Sequence, residues 1–349
     1  EGLRWSYLFL ISMSAVFLLA PASAWLAVRI GAMDVPDARK VHFSPVPRIG
    51  GAAVYLAFMA AVIRNQQFSR EIYGIMLGGT IIFTLGFFDD WKGLSARTRL
   101  FWQTAAALSV TFFGLHLSLP GNIPFGMAIS TVLSVIWLVG IVNAFNFMDG
   151  IDGLASTMGA VCALLFLGIG WKSSQYPLSF ISAALAGACF GFLRMNWRPA
   201  RIFLGDSGST FIGFILGCLA LYGSWATDNP AVSLSTPLLV LGIPIFDIIY
   251  TTISRVRNGS VRSVKEWLEY AGKDHFHHRL MKLGMSVEQT VSFIVVLNIC
   301  LGLGAWNIRH TASTTGTWLL LAQSVLIFLI VVALMILGRE VTPEKDRSK

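Results

Sequence analysis

Apolar stretches of roughly 17 to 25 residues, the length a helix needs to cross a ~30 Å hydrocarbon core, recur along the whole chain. They fall near 5–30, 50–64, 72–88, 100–117, 126–145, 153–171, 178–194, 207–225, 234–253, 290–308 and 316–338. The pattern points to an all-α polytopic membrane protein of about 11 transmembrane helices, read as a single integral membrane domain over 1–349. With so many stretches the first is expected to be a span and not a cleavable signal. Composition agrees: 55% of residues are apolar and 13% charged, a balance far from that of soluble proteins. No internal repeat, inverted or parallel, is visible.

Eleven crossings place the termini on opposite sides, and the basic residues choose which. Of the 26 lysines and arginines, 21 fall after odd-numbered spans or in the C-terminal tail, leaving Arg4, Arg64, Arg70, Lys172 and Arg309 on the other face. The positive-inside rule then sets the N-terminus outside and the C-terminus in the cytoplasm. The cytoplasmic loops, about 31–49, 89–99, 146–152, 195–206 and 254–288, also hold most of the acidic residues, which orientation alone does not require. This face is the expected active face. The net charge of +8 forms no basic stripe, so topology explains it better than nucleic acid does. Cys162, Cys189, Cys218 and Cys300 each lie alone in apolar sequence, as small packing residues do.

Polar motifs gather in those loops. In the first, Arg39, Lys40, His42 and Arg48 either grip phosphate or meet anionic headgroups of membrane lipid, and Gly50-Gly51 allows close backbone approach as the next span begins. Asp89-Asp90 closes the third span; adjacent carboxylates at a membrane boundary repel each other and call for a cation or a function. The fifth span ends in Asn143, Asn146 and Asp149, spaced to share a helical face, with Gly150 and Gly153 allowing a turn that brings Asp152 beside them. Oxygen ligands of this kind suit a hard divalent cation such as Mg²⁺, with Mn²⁺ the alternative. Phe203 precedes Gly205-Asp206-Ser207-Gly208-Ser209, where Asp206 or Ser207 is expected to cap the eighth span and its amides to attract phosphate; Phe203 is either an interfacial aromatic or a stacking partner for a nucleobase. The last loop carries His275, His277, His278 and Arg279, a set better matched to phosphate or sugar hydroxyls than to zinc, since no cysteine lies nearby.

In this order the motifs resemble those of the polyprenyl-phosphate N-acetylhexosamine-1-phosphate transferases. The likeness spans about 30 to 285. It is nearest the bacterial branch that starts enterobacterial common antigen, O-antigen or teichoic acid linkage units with N-acetylglucosamine-1-phosphate. The resemblance implies transfer from a UDP-N-acetylhexosamine to undecaprenyl phosphate, release of UMP, and a requirement for Mg²⁺ at the cytoplasmic face of the bacterial inner membrane. It implies Asp206 as a metal ligand with Asn146 as a second. Phe203 and Asp152 would face uracil, and His275, His277, His278 and Arg279 the sugar and diphosphate. Lys40 and Arg48 would assist at the phosphates or base, with Asn143 and Asp149 also lining the substrate. Asp89 and Asp90 are the catalytic candidates, as a base, a covalent nucleophile, or organisers of nucleophile and metal. A homodimer is left open. A secondary transporter, the rival class, places its binding residues near the midplane and shows repeats, neither of which this chain does.

Overall fold

The structure, a computed structural model, describes residues 2–35, 45–118, 124–226, 229–263, 266–267, 270, 272–310 and 314–340. Lys40, with Arg39 and His42, lies outside the described residues. The chain forms two compact units, Glu1–Ser224 and Trp225–Lys349.

The described residues of the first unit form eight helices: α1 (Gly2–Ile30), α2 (Gly51–Asn65), α3 (Arg70–Lys92), α4 (Ala96–Phe112), α5 (Gly126–Met148), α6 (Leu154–Lys172), α7 (Tyr176–Asn196) and α8 (Gly205–Tyr222). Ser69 and Ser95 cap α3 and α4 by accepting the amides of Ile72 and Thr98. A short antiparallel pair, β1 (Met33–Asp34) with β2 (Val46–Pro47), closes the loop between α1 and α2. Helix α8 packs against both α3 and α5, while α7 packs against α1 and α6. The apolar stretch of α8 is 83% buried, against 28% for that of α1, so Asp206 starts one of the most enclosed helices of the unit.

The second unit comprises α9 (Pro230–Val240), α10 (Gly242–Arg257), α11 (Phe276–Lys282), α12 (Val287–His310) and α13 (Thr314–Glu340). Helices α9 and α10 are bent by 84°. Pro244 lacks an amide donor and Gly242 tolerates the break. Asn298 of α12 satisfies the backbone exposed there, accepting from Ile243 N (3.3 Å) and donating to Val240 O (3.1 Å).

Each of the eleven expected stretches meets a helix or, for the ninth, this bent pair. Among the described residues eight helices are long and apolar enough to cross a membrane, nine spans if the bent pair is one. The difference from eleven lies in α2 and α4, of 15 and 17 residues, which fall short of that length.

Candidate active site

Two segments of the first unit are laced together by three backbone hydrogen bonds at the start of α8. Phe203 N donates to Pro47 O (2.8 Å), Gly50 N to Phe203 O (3.0 Å) and Gly51 N to Leu204 O (2.8 Å), so the loop carrying Arg48 runs beside the loop carrying Asp206. The contact is so close that a Cβ on Gly51 would sit 2.1 Å from Gly208 N. Gly205 has φ +71°, and a Cβ there would meet Arg48 O at 2.1 Å and Asp90 Oδ2 at 2.5 Å. Only glycine fits either place. We expect Gly51→Ala to destabilise the fold by about 3 kcal/mol or more, because backbone and not a flexible side chain blocks the methyl. Thermal unfolding in detergent checks this, and an unchanged Tm would mean that α2 and α8 separate without cost.

Asp90, with a fully buried carboxylate, caps α8 from α3. Its Oδ1 accepts Asp206 N (2.8 Å), its Oδ2 accepts Ser207 N (2.9 Å), and Arg48 Nε lies 3.2 Å from Oδ1. The sequence leads one to expect Asp206 or Ser207 to cap this helix and its amides to be left to phosphate. Instead neither side chain caps it, and the carboxylate of Asp90 occupies those two amides. Asp89 is equally engaged: Oδ1 accepts Leu94 N (2.6 Å) and Oδ2 accepts Arg99 Nη1 (3.1 Å).

Asp206 sits between two arginines. Its Oδ1 accepts Asn146 Nδ2 (3.0 Å) with Arg48 Nη2 at 3.5 Å, and its Oδ2 faces Arg99 Nη1 at 3.7 Å. Burial works to lower the Arg48 pKa, but Asp206, Asp90, Asp34 and Asp89 together outweigh it and hold the guanidinium above its ordinary value. Three carboxyl groups thus meet two guanidiniums in one cluster.

Asn143 and Asn146 do not act together. Asn143 donates to Gln103 Oε1 of α4 (2.9 Å) and to Val139 O (2.8 Å), whereas Asn146 turns to Asp206 and to Ser209 Oγ (3.2 Å). Asp149 follows the last residue of α5, half-buried; burial, then the nearby charges of Asp206 and Asp90, pushes its carboxyl well above the usual range. Asp152 is turned toward the α7–α8 loop and accepts Ala200 N at 3.1 Å. Phe203 is half-buried beside the laced loops.

In the sequence Arg99 reads only as a topological charge. Its signal was available: Arg97 and Arg99 occupy the first turn of α4, where the helix dipole disfavours cations unless an anion faces them.

In the second unit the histidine motif opens α11. His275 Nδ1 lies 2.8 Å from Asp247 Oδ2, and its Nε2 lies 3.1 Å from Arg255 Nη2. His277 is fully buried with no hydrogen-bond partner for either ring nitrogen among the described residues. Burial, then His278 and His275, lowers its pKa well below the ordinary histidine value; the same burial takes His278 down to about 4. Arg279 donates from Nε to Asp274 O (2.7 Å) and from Nη1 to Met335 O, so its guanidinium ties α11 to α13. Asp247 also escaped the sequence reading, although a carboxylate inside an apolar span is by itself a sign of function.

The sequence profile of glycosyl transferase family 4 matches residues 72–224. A Bacillus subtilis protein, described as a probable undecaprenyl-phosphate N-acetylglucosaminyl 1-phosphate transferase, is 30% identical over 341 residues, covering 96% of this chain and 91% of its own. The chain belongs to this transferase family. A decaprenyl-phosphate N-acetylglucosaminephosphotransferase of Mycolicibacterium smegmatis is 32% identical over 82% of this chain and 78% of its own. The undecaprenyl-phosphate alpha-N-acetylglucosaminyl 1-phosphate transferase of Escherichia coli K12 is 29% identical over 78% and 75%. The stretch matched to the transferase family runs from α3 to just past α8 and so contains Asp89, Asp90, Arg99, Asn146 and Asp206.

Proposed function

We propose that this chain transfers N-acetylglucosamine-1-phosphate from UDP-N-acetylglucosamine to undecaprenyl phosphate, releasing UMP and starting a lipid-linked cell-envelope glycan. The observation that carries the reading is the cluster of Asp89, Asp90 and Asp206 with Arg48 and Arg99, of which all but Arg48 lie inside the stretch matched to the family. Such chemistry asks the protein mainly for positioning and charge neutralisation. An oxygen of the acceptor phosphate bonds to the β-phosphorus of the donor. The bond from that phosphorus to the bridging oxygen breaks, and UMP leaves with the oxygen. The acceptor, a phosphate monoester with a second pKa near ~6, is largely dianionic at neutral pH and needs no strong base. Every oxygen of Asp89 and Asp90 already accepts a backbone amide or an arginine, which favours direct attack over a covalent aspartyl-phosphate.

The donor set suits Mg²⁺, or Mn²⁺ in its place. No three His, Cys, Asp or Glu side chains make a closed cage among the described residues, and Mg²⁺ is ordinarily held by one or two carboxylates together with substrate phosphates. Asp206 Oδ2 faces Arg99 at 3.7 Å, the Asp206 carboxyl also meets that of Asp89, and the bonds of Asn146 use its Nδ2 and not its oxygen. Asp206 and Asn146 would hold the cation, which when bound would neutralise charge on the diphosphate. Arg48 and Arg99 contribute fixed positive charge at the same carboxylates.

His277 and His278, both neutral near pH 7, serve the sugar diphosphate as hydrogen-bonding groups, and Phe203 stacks on uracil. The distribution of basic residues supports an inner-membrane protein with its site toward the cytoplasm. A panel of UDP-N-acetylglucosamine, its galacto epimer and deoxy analogues, assayed with purified protein and undecaprenyl phosphate, tests the sugar. The gluco donor is expected to be preferred, and a preference for the epimer would reassign it. Phe203→Ala should raise the donor KM by the ~1–3 kcal/mol that base stacking contributes elsewhere, with little change in the acceptor KM. Equal effects on both substrates would make Phe203 an interfacial aromatic only.

A further inference from the structure

A buried carboxylate in the middle of an apolar helix is retained only where its charge is fully answered. Asp247 of α10 is 1% exposed, and its answer is specific. Oδ1 accepts Phe276 N, the first amide of α11, at 2.8 Å, and Oδ2 takes His275 Nδ1 at 2.8 Å. Two helical turns further along α10, Arg255 grips Asp274 with Nε and Nη2 at 2.8 and 2.7 Å. The same Nη2 reaches His275 Nε2 at 3.1 Å.

These contacts fix the proton on His275. A guanidinium has donors and no acceptor, so Nε2 must present its lone pair to Arg255. The single ring proton is then on Nδ1 and is donated to Asp247. Free neutral imidazole favours the opposite tautomer, so the flanking charges select the minor form. With both ring nitrogens engaged, His275 has none to offer a ligand. Two residues on, His277 is the reverse case: fully buried, with neither nitrogen bonded among the described residues. Buried polar atoms left so are costly unless a ligand completes them. The rings of His275 and His277 lie nearly parallel, 8° apart with centroids at 6.2 Å, and His278 follows at 4.1 Å from His277. The locked ring and the seated first amide of α11 thus stand immediately before His277 in the chain.

We propose that Asp247 and Arg255 form a tautomer lock on His275 and act as positioning residues for transfer, aiming His277 and His278 at the sugar diphosphate. The inference rests on the reading that these two histidines serve the donor.

Asp247→Asn should break the lock without changing side-chain size. If its oxygen keeps the Phe276 amide, its NH₂ faces Nδ1, which must then accept. The ring proton moves to Nε2, against the donor of Arg255, and the ring loses one bond or turns.

The test uses the full chain in nanodiscs with ¹⁵N-labelled histidine. Of the six histidines, the signal absent in His275→Gln belongs to His275. In the wild type it should be that of a neutral Nδ1–H ring; an Nε2–H ring would overturn the lock without any further variant. In Asp247→Asn, and in Arg255→Gln should the first fail to fold, the signal should leave the Nδ1–H form. At the same time kcat should fall about 100-fold, as for loss of a group that orients a ligating histidine, while the KM for undecaprenyl phosphate changes less than about threefold. A changed tautomer with kcat near wild type would overturn the positioning role and leave a structural contact. If His277→Ala and His278→Ala keep wild-type kcat and donor KM while the wild-type signal is Nδ1–H, the donor reading fails and the proposal falls with it, although the lock itself stands.

Discussion

Asp206→Asn is expected to slow transfer on the order of 1000-fold or more while the protein still folds. The side chain is the meeting point of the cluster: Asn146 and Arg48 face Oδ1 and Arg99 faces Oδ2. An amide of the same shape removes the charge that both arginines answer and that a hard cation needs. Its NH₂ would also point at a group that can only donate. The α8 amide of residue 206 still reaches Asp90, so the helix start is preserved and the loss falls on chemistry. Single-turnover rates with saturating Mg²⁺ measure it. Turnover near wild type at ordinary Mg²⁺ would remove Asp206 from the charge-neutralising role.

Asp90→Asn is expected to lose at least about 100-fold in rate and about 1–2 kcal/mol of stability. Here the cause is architectural. Two carboxylate oxygens each accept an amide of α8, and one also faces Arg48. Asparagine offers one oxygen and one donor, so an amide at the start of α8 loses its acceptor and Asp206 is no longer held in register. This origin has a signature in pH. Were Asp90 a base for the acceptor phosphate, the variant would recover once the phosphate passed its second pKa near ~6 and became dianionic unaided. An organiser predicts a loss that persists from roughly pH 5.5 to 9, because no proton restores the missing acceptor. Recovery to near wild-type rates at the upper end would make Asp90 a base after all.

The apolar helices and the polar clusters were legible in the sequence because bilayer length and grouped polar residues both leave strong local patterns, while the count of eleven spans exceeded the eight or nine that the helices support. Asp89, Asp90, Asn146 and Asp206 needed only their positions at span ends to stand out. What those carboxylates do was not legible, because it depends on contacts between segments distant in sequence. Asp90 reaches across 116 residues to cap α8, where local capping rules pointed to Asp206 or Ser207. Asn143 and Asn146, three residues apart, were expected on one face, yet a turn of about 60° between them suffices to send one to Gln103 and the other to Asp206. Arg99 was hidden among loop cations that the positive-inside rule already explained, and Asp247 was hidden inside a span whose hydropathy absorbed a single carboxylate. The bent α9–α10 pair passed as one continuous stretch because hydropathy does not register an 84° break.

The most direct test of the account is a product balance. Purified protein in nanodiscs, supplied with undecaprenyl phosphate, Mg²⁺ and UDP-N-acetylglucosamine labelled in the sugar and in the β-phosphate, should yield a lipid carrying both labels. One UMP should be released for each lipid formed. A labelled sugar on the lipid without the β-phosphate, accompanied by UDP, would show simple glycosyl transfer and contradict the mechanism. Absence of any labelled lipid from folded protein at saturating substrates would contradict the proposed function itself.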